Sequence, residues 1–336
     1  MRLNDKEWRG KPVPDPAPHQ EEAAQLKSGG FIPQRQPGTV TVRCLAPGGR
    51  LTSARLKKIA EVAEKYGRGL VHLSVRMSPE ILYVPLEKIE DVRRELATVG
   101  QEIATCGRRF RVPTACGGCE YNPNGLVETQ SLAETINQYF FGQPAFHKFK
   151  VALAGCPIDC TRTREMDLGF QGQAEPVFLS ERCTGCTLCV AACQDQALTM
   201  GGEGFPRREP AQCLGCGTCI QVCPFGAMTS GRVGFAVYAG GRHGKHPHVA
   251  YPVAQFLPEK LVLPFIQAVL AWYQANGQEG ERLGAVIDRV GLKNLLRNLS
   301  PDFGEYLLTN EDVQEPRWRK IFYRGVAELF PDYGRP

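Results

Sequence analysis

The cysteines of this sequence include two regularly spaced runs of four. Both runs have the spacing Cys-x2-Cys-x2-Cys-x3-Cys and consist of Cys183, Cys186, Cys189 and Cys193, then Cys213, Cys216, Cys219 and Cys223. Bacterial two-cluster ferredoxins have this spacing, and in them three thiolates of one run and the fourth of the other hold each 4Fe–4S cube. Structural zinc is the alternative, although zinc sites favour two separate Cys-x2-Cys pairs. The spacing therefore predicts a module with two 4Fe–4S clusters that transfers electrons.

A second group of cysteines lies upstream of these runs. Cys156 and Cys160 form a Cys-x3-Cys pair directly after a predicted strand. Cys116 and Cys119 are three residues apart, a plausible spacing for two thiolates that bind the same metal centre. We interpret these cysteines as a candidate metal centre.

Basic residues precede the Cys-x3-Cys pair. Lys148 and Lys150 lie just upstream of it, and on a strand two residues at this spacing point to the same face. Arg43 and Arg76 fall on predicted strands, and Arg111 lies shortly before the first cysteine of the group. Each of these residues taken singly could be a solvated charge on a strand edge. Together they suit an anionic substrate and a carboxylate-rich macrocycle beside a metal centre.

Regular elements in the N-terminal part of the chain must position the arginines. In order they are a strand at Thr39–Leu45, a helix that begins after Thr52 or Ser53 and ends at Gly67, strands at Leu70–Val75 and Ile81–Val84, and a helix over 86–99. This β-α-β-β-α order predicts an α+β fold with a ferredoxin-like half.

The rest of the chain resembles a larger domain that contains an insert. The predicted elements are a helix around Ser131–Phe140, a strand at Lys150–Ala154, a strand at Phe235–Tyr238, a turn at Gly240-Gly241 and an amphipathic helix near Glu259–Ala275. The predicted divisions are an N-terminal arm (1–36), the ferredoxin-like half (37–100), a cluster-binding domain (101–177 and 232–300), the ferredoxin insert (178–231) and a C-terminal tail (301–336).

Composition limits the class of protein. The chain has 336 residues, of which 43% are hydrophobic and 22% charged, so we expect about two globular domains and exclude a fibrous or disordered protein. Fourteen clustered cysteines argue against a disulfide framework, and we interpret Cys44 and Cys106 as buried or incidental thiols. A net charge of +5 does not suggest nucleic-acid binding. We expect a cytoplasmic protein, because no apolar stretch approaches a membrane span or a signal core.

Several motifs occur in a fixed order between Leu26 and Leu296. They are Val42-Arg43, Val71-His72-Leu73-Ser74-Val75-Arg76, Arg111-Val112-Pro113-Thr114-Ala115-Cys116, Glu128-Thr129-Gln130, Lys148-Phe149-Lys150, Gly155-Cys156-Pro157 with Cys160, and Gly240-Gly241 with Gly244 and Pro247. With these motifs in this order, the chain resembles the siroheme-containing sulfite and nitrite reductases. The resemblance is strongest to the short, ferredoxin-containing type of anaerobic and dissimilatory sulfite reductases.

The resemblance implies a siroheme whose iron is bridged to a 4Fe–4S cluster through the sulfur of Cys160. It also implies that four basic residues hold a small inorganic anion at the iron: Arg43, Arg111, Lys148 and Lys150. Arg76 would lie beside the carboxylates of the macrocycle, as would a loop with Gly240, Gly241, Arg242 and Lys245. The implied reaction is six-electron reduction of sulfite to sulfide, with nitrite to ammonia as the related reaction, fed with electrons by the ferredoxin insert.

One position departs from the family pattern. The family has Cys-x5-Cys where this chain has Cys116 and Asn122, and Cys119 lies between them. Cys119 could substitute, a non-cysteine ligand could complete the cluster, or the coupled centre could be altered or lost. The alternative function is therefore an electron-transfer or scaffold subunit without a competent siroheme site, and chemistry on another small anion or a modified tetrapyrrole is a third.

Partner expectations follow from the single ferredoxin-like half. Larger members of the family contain two pseudo-symmetric halves, so a lone half predicts a homodimer or a dimer with a related subunit. An electron-donor protein or subunit is expected, whereas nucleic acid and a membrane span are not. Aromatic residues of the tail, Trp318, Phe322 and Tyr323, are expected to pack on the body or on a partner.

Overall fold

A computed structural model describes residues 20–308 of the chain. The described chain forms two compact units, the first of residues 20–115 and 130–150 and the second of residues 116–129 and 151–308. The start of the predicted arm and most of the predicted tail, including Trp318, Phe322 and Tyr323, lie outside the described residues. No helix within the described range is long and apolar enough to span a membrane.

The described chain contains both strands and helices. The strands are β1 (Phe31–Pro33), β2 (Thr39–Arg43), β3 (Val71–Leu73), β4 (Pro79–Pro85), β5 (Thr114–Ala115), β6 (Val151–Ala154), β7 (Leu168–Phe178), β8 (Leu198–Met200), β9 (Pro206–Arg208), β10 (Met228–Ala239) and β11 (Tyr251–Leu257). The helices are α1 (Gln20–Ser28), α2 (Ser53–Tyr66), α3 (Ile89–Ala97), α4 (Gly118–Tyr121), α5 (Gln130–Phe140), α6 (Leu188–Ala191), α7 (Thr218–Gln221), α8 (Val262–Asn276), α9 (Leu283–Val290) and α10 (Leu292–Phe303).

The first unit is built on an antiparallel sheet with the strand order β1-β2-β4-β3. Helix α2 begins at a Thr52 cap, whose side chain accepts a hydrogen bond from the Arg55 amide, and the chain leaves the helix at Gly67. Its apolar residues Ile59 and Val62 are fully buried in the same core as the sheet residues and α3. The predicted β-α-β-β-α order and the α+β fold class are confirmed.

Two predictions about the first unit are wrong. The predicted arm includes residues 31–33, but these residues form β1, which pairs with β2 through Phe31 and Val42. Phe31 is buried in the core, and this burial holds the strand against the sheet. Arg76 does not lie on a strand, because β3 ends at Leu73 and the chain turns before β4.

The second unit contains strands β6, β7, β10 and β11 in the order β11-β10-β7-β6. Strands β6 and β7 are parallel, and the other neighbours are antiparallel. Phe170 of β7 makes edge-to-face contacts with Phe235 of β10 and Phe265 of α8, at centroid distances of 6.0 and 6.3 Å. These rings form the contact between the sheet and the largely apolar helix α8. Strands β7 and β11 and helices α9 and α10 are not among the elements predicted from the sequence.

The insert lies at the far end of the β7–β10 ribbon. The ribbon pairs Phe178 with Met228, so the chain leaves and re-enters the sheet at adjacent points. Between them the fold repeats itself: each cysteine run leads through a left-handed residue, Thr187 or Gly217, into a short helix, α6 or α7. Strands β8 and β9 form a small antiparallel hairpin in the same module. The repeat in the sequence is therefore also a structural repeat.

Candidate functional site

Two cavities lie in the insert, with about 360 and 370 Å³ of open space. The cysteines that line the first are Cys183, Cys186, Cys189 and Cys223, and those that line the second are Cys193, Cys213, Cys216 and Cys219. Each cavity thus receives three thiols of one run and the fourth of the other. Among residues 20–308 no group of His, Cys, Asp and Glu side chains is arranged to hold a single metal ion. A cube differs from an ion in that its four ligands bind four different irons and lie farther apart.

Backbone amides point at several of these sulfurs. The amide of Met228 donates to Cys223 Sγ at 3.4 Å, and the amide of Gly185 approaches Cys183 Sγ at 3.5 Å. Burial raises the pKa of Cys223, but four backbone N–H groups outweigh it and lower that pKa overall. Burial raises the pKa of Cys219 to about 12, and the neighbouring cysteines add to the rise. Positive charge from a metal centre would stabilise such crowded thiolates.

The second unit also brings together cysteines of two separate segments outside the insert. The amide of Gly155 donates to Cys116 Sγ at 3.0 Å. Cys156 is buried and Cys160 is exposed at the end of the turn that follows β6. Burial raises the pKa of Cys156, and the charges of Cys116, Cys160 and Cys216 raise it further. These thiols are therefore close enough to interact electrostatically.

Cys119 and Asn122 occupy the α4 turn. Cys119 is exposed, and its amide donates to the carbonyl of Val127 at 3.0 Å. The Asn122 side chain accepts a hydrogen bond from the amide of Asn124 at 3.0 Å, so its oxygen is used in a local turn. Of these two candidates, Cys119 is the one whose side chain is exposed while its backbone is fixed.

The second insert cavity adjoins this cysteine group. The amide of Ala174 on β7 donates to the carbonyl of Gly215 at 2.8 Å, and Ala174 forms a bridge with Cys216. Two residues before it, Gly172 packs so closely on Gly155 that a Cβ there would lie 2.3 Å from the Gly155 carbonyl oxygen. Strand β7 therefore lies between Cys216 and the Gly155-Cys156 turn and contacts both.

A cluster of arginines lies in the first unit. Arg43 donates to Glu80 Oε1 at 2.7 Å and to Cys106 Sγ at 2.9 Å. Arg111, which is buried, donates to the same sulfur at 3.0 Å. Burial lowers the pKa of Arg76 to about 10, and the charges of Arg111 and Arg43 lower it further. The three guanidinium groups are thus close enough to interact electrostatically, and the buried Nη1 of Arg76 has no hydrogen-bond partner among residues 20–308.

Lys148 and Lys150 flank the buried Phe149 and precede β6, which begins at Val151, one residue later than predicted, so neither lysine lies on the strand. The Arg111 amide donates to the Phe149 carbonyl at 2.8 Å, and Phe110 forms a parallel bridge with Phe149. Both lysines are half-buried, whereas Phe149 between them is fully buried. The structure thus brings both lysines next to the Arg111 segment.

The predicted glycine loop is built for close packing. Gly240 has a φ of +91°, and its Cβ would lie 3.0 Å from the Cα of Gly284, while a Cβ on Gly241 would lie 2.4 Å from a carbonyl oxygen. Arg242 is half-buried, with no hydrogen-bond partner for its Nε among the described residues, whereas Lys245 is exposed at the tip of the loop.

Several residues of the site were not predicted from the sequence. In the first unit these are Glu80 and Cys106, which contact the arginines. In the second unit, Gln171 lies on β7, and its buried side chain accepts a hydrogen bond of 3.3 Å from the Tyr238 hydroxyl. Gln171 and Gln173 alternate along a strand that is otherwise mostly apolar and buried. This polar alternation was the available signal, since buried amides in a core strand require partners.

Comparison with known proteins identifies the family. A model described as "Nitrite and sulphite reductase 4Fe-4S domain" matches residues 106–307, and one described as "Nitrite/Sulfite reductase ferredoxin-like half domain" matches residues 32–99. The chain belongs to the nitrite and sulphite reductase family. The resemblance in the motifs is thereby confirmed, and the family's ferredoxin-like half domain corresponds to the sheet of the first unit.

Curated members of the nitrite and sulphite reductase family are longer than the aligned part of this chain. A coenzyme F420-dependent sulfite reductase from Methanocaldococcus jannaschii is 34% identical over 80% of this chain and 44% of its own length. A subunit of the anaerobic sulfite reductase from Salmonella typhimurium is 29% identical over 46% of this chain and 50% of its own length. The chain thus spans about half the length of these relatives.

Solved structures support the same fold. A crystal structure of dissimilatory sulfite reductase I superposes with a TM-score of 0.67 at 21% identity, and covers 83% of this chain and 72% of that one. The Mycobacterium tuberculosis NirA protein gives a TM-score of 0.57 at 16% identity, over 84% of this chain and 47% of that one. At these identities the likeness concerns the fold of this nitrite and sulphite reductase family member.

Proposed function

We propose that this chain is an oxidoreductase that reduces sulfite to sulfide at a siroheme coupled to a 4Fe–4S cluster. The observation that carries the proposal is the group of Arg43, Arg76 and Arg111, in which the charges of Arg111 and Arg43 lower the pKa of the largely buried Arg76 while Glu80 is ion-paired with Arg43. Such an excess of buried positive charge is costly unless an anion joins it. In a chain of the nitrite and sulphite reductase family, a small oxyanion and the carboxylates of siroheme are the anions that fit.

The residues present suit the cofactor. Siroheme carries carboxylates, and the buried Nη1 of Arg76 in the first unit is a cationic donor without a partner in the described chain. For the coupled cluster, Cys116, Cys156 and Cys160 are the proposed ligands, with Cys119 as the fourth. When bound, the siroheme would supply the iron that binds the anion and the macrocycle that carries electrons.

The protein's own contribution is position and charge. Arg43 and Arg111 are held at fixed geometry and would bind the oxyanion as planar donors. Lys148 and Lys150 would add point charges beside the Arg111 segment. Positive charge at the sulfite oxygens lowers the charge of the anion and polarises the S–O bonds, which favours loss of oxygen as water once protons and electrons are supplied.

The insert would carry two further 4Fe–4S clusters, one in each cavity. The cavity of Cys193, Cys213, Cys216 and Cys219 adjoins the Gly155-Cys156 turn across β7, so its cluster would be the inner relay. The cavity of Cys183, Cys186, Cys189 and Cys223 would hold the outer cluster, which receives electrons from a donor protein or subunit. We further propose that the chain functions as a homodimer or as a dimer with a related subunit.

Anaerobically purified protein provides the test. Siroheme absorption bands, together with methyl-viologen-driven consumption of sulfite, are expected, and nitrite assayed in parallel shows which anion is preferred. Iron should approach about 13 per chain and acid-labile sulfide about 12, for siroheme and three cubes, against about 8 of each for the insert alone. Lys150→Ala should lower kcat at least tenfold with little change in melting temperature. Lys65→Ala, which removes an exposed ion pair with Glu95, should leave both unchanged.

The second candidate function is an electron-transfer subunit without siroheme. Asn122 favours it, because this residue replaces the family cysteine and its side chain is used in a local turn. Broad iron–sulfur absorption alone, with about 8 irons per chain and no sulfite or nitrite turnover, would support this candidate and contradict the reductase.

A further inference from the structure

Cys106 lies between the two arginines that are proposed to bind the oxyanion. Its side chain is buried, and its Sγ accepts hydrogen bonds from Arg43 Nη1 at 2.9 Å and from Arg111 Nη2 at 3.0 Å. The backbone around the sulfur is also fixed, because the Cys106 amide donates to the Lys27 carbonyl at 2.9 Å. The sulfur is thus a rigid acceptor shared by two cationic groups that are 68 residues apart in the chain.

The other contacts of the two arginines differ. Glu80 contacts Arg43 at 2.6 Å. Arg111 Nη1 is directed to the carbonyl of Gly107 at 3.2 Å. The sulfur of Cys106 contacts both guanidinium groups, so its position constrains the distance between them. For a bidentate or multidentate oxyanion, that separation determines how many hydrogen bonds can form at once.

We propose that Cys106 is a positioning residue that holds Arg43 and Arg111 in the geometry that binds the oxyanion. Its thiol takes no part in bond making or electron transfer. The role as a determinant of sulfite affinity rests on the proposed function, whereas the fixed placement of the two arginines does not. The proposal also replaces the interpretation of Cys106 as an incidental thiol.

Cys44 provides the matched control. It is fully buried in the same unit and belongs to the apolar core with Val42 and Ile81, and burial raises its pKa to about 12. Cys44→Ala therefore removes the same buried thiol group from the same unit. Unlike Cys106→Ala, it does not remove a hydrogen-bond acceptor of Arg43 and Arg111. Loss of stability alone is expected from that change.

The experiment compares full-length holoprotein of the wild type with Cys106→Ala, Cys106→Ser and Cys44→Ala. Crystal structures should show the Arg43 and Arg111 guanidinium groups displaced in Cys106→Ala and retained in Cys106→Ser, whose hydroxyl still accepts hydrogen bonds. The KM for sulfite should rise about tenfold in Cys106→Ala with a smaller change in kcat, as expected for loss of hydrogen bonds to charged groups. Cys106→Ser should recover most of the affinity, and Cys44→Ala should lower the melting temperature with an unchanged KM.

Unmoved guanidinium groups in Cys106→Ala, or a KM equal to that of the wild type, would overturn the proposal. If Cys106→Ala does not fold, Cys106→Ser decides: retained guanidinium positions with a near-normal KM support positioning, and displaced groups contradict it. If the wild type does not consume sulfite, the proposed function fails. The crystal structures then still test whether the sulfur positions the arginines.

Discussion

The backbone amide of Gly155 donates a hydrogen bond of 3.0 Å to the sulfur of Cys116, although the two residues are 39 positions apart. The contact is possible because Gly155 packs against Gly118, and a Cβ on Gly155 would lie 2.7 Å from the Gly118 Cα. Two segments that each carry proposed cluster ligands are thereby fixed to each other at one point. In iron–sulfur proteins, hydrogen bonds to ligand sulfurs help to set the reduction potential.

Gly155→Ala should therefore disrupt the proposed coupled cluster. The added methyl group would force the Cys116 turn away from the Cys156 turn, at a cost of about 1–3 kcal/mol in the free energy of unfolding. Iron content per chain should fall by about one cube, measured together with acid-labile sulfide. Gly202→Ala is the control, because a Cβ there meets nothing within 4 Å. Full iron content in Gly155→Ala would show that the close contact is not needed.

Arg76→Met should stabilise the protein without cofactor. Burial lowers the pKa of Arg76 from 12.5 to about 10, so its charge opposes folding, and removal should raise the free energy of unfolding by about 1–3 kcal/mol. Because the lowered pKa lies far above neutrality, Arg76 is protonated in the folded and in the unfolded state from pH 7 to 9. The increase in the free energy of unfolding should therefore be constant over this range. Only above about pH 10 would the wild type recover this stability. Urea unfolding of the cofactor-free wild type and Arg76→Met at pH 7 and at pH 9 measures this difference in the free energy of unfolding. A lower free energy of unfolding in Arg76→Met would contradict the prediction.

Arg282→Met should destabilise the second unit strongly. Arg282 forms a two-point ion pair with the buried Asp167 at 2.8 and 2.6 Å, and the Asp167 carbonyl accepts from the Gly240 amide. Removal leaves a buried carboxylate without its cation, at a cost of about 3–5 kcal/mol. Arg289→Met, which breaks an exposed two-point pair with Glu281, should cost far less, because solvent screens such a pair. Equal losses in denaturant unfolding would contradict the predicted difference.

Removal of iron by a chelator should unfold the insert before the first unit. The insert core has four buried residues, of which two are the proposed ligands Cys189 and Cys219. The sheet and helices of the first unit share a core of eleven buried residues. Metal binding in such a small module supplies folding energy. Hydrogen exchange should accelerate across residues 179–227 and stay slow in α2, and unchanged protection of the insert would contradict the two-cluster proposal.

The local sequence determined the features that depend on nearby residues. Helix α2 follows from its Thr52 cap, its apolar spacing and Gly67, and the β-α-β-β-α order follows from alternating patterns of this kind. The two cysteine runs predicted a repeated module because the spacing within each run sets the loop that carries it. The order of the motifs sufficed to identify the nitrite and sulphite reductase family.

Only the tertiary structure decided which distant residues meet. No periodicity indicates that Cys106 contacts Arg43 and Arg111, or that Arg76 lies in a turn, because these contacts depend on how the sheet and the following loop fold together. The second insert cavity lies near Cys156 because β7 runs between them, and β7 was not predicted. The physical reason is that local patterns report the burial of each face, whereas packing and charge pairing depend on residues far apart in the sequence.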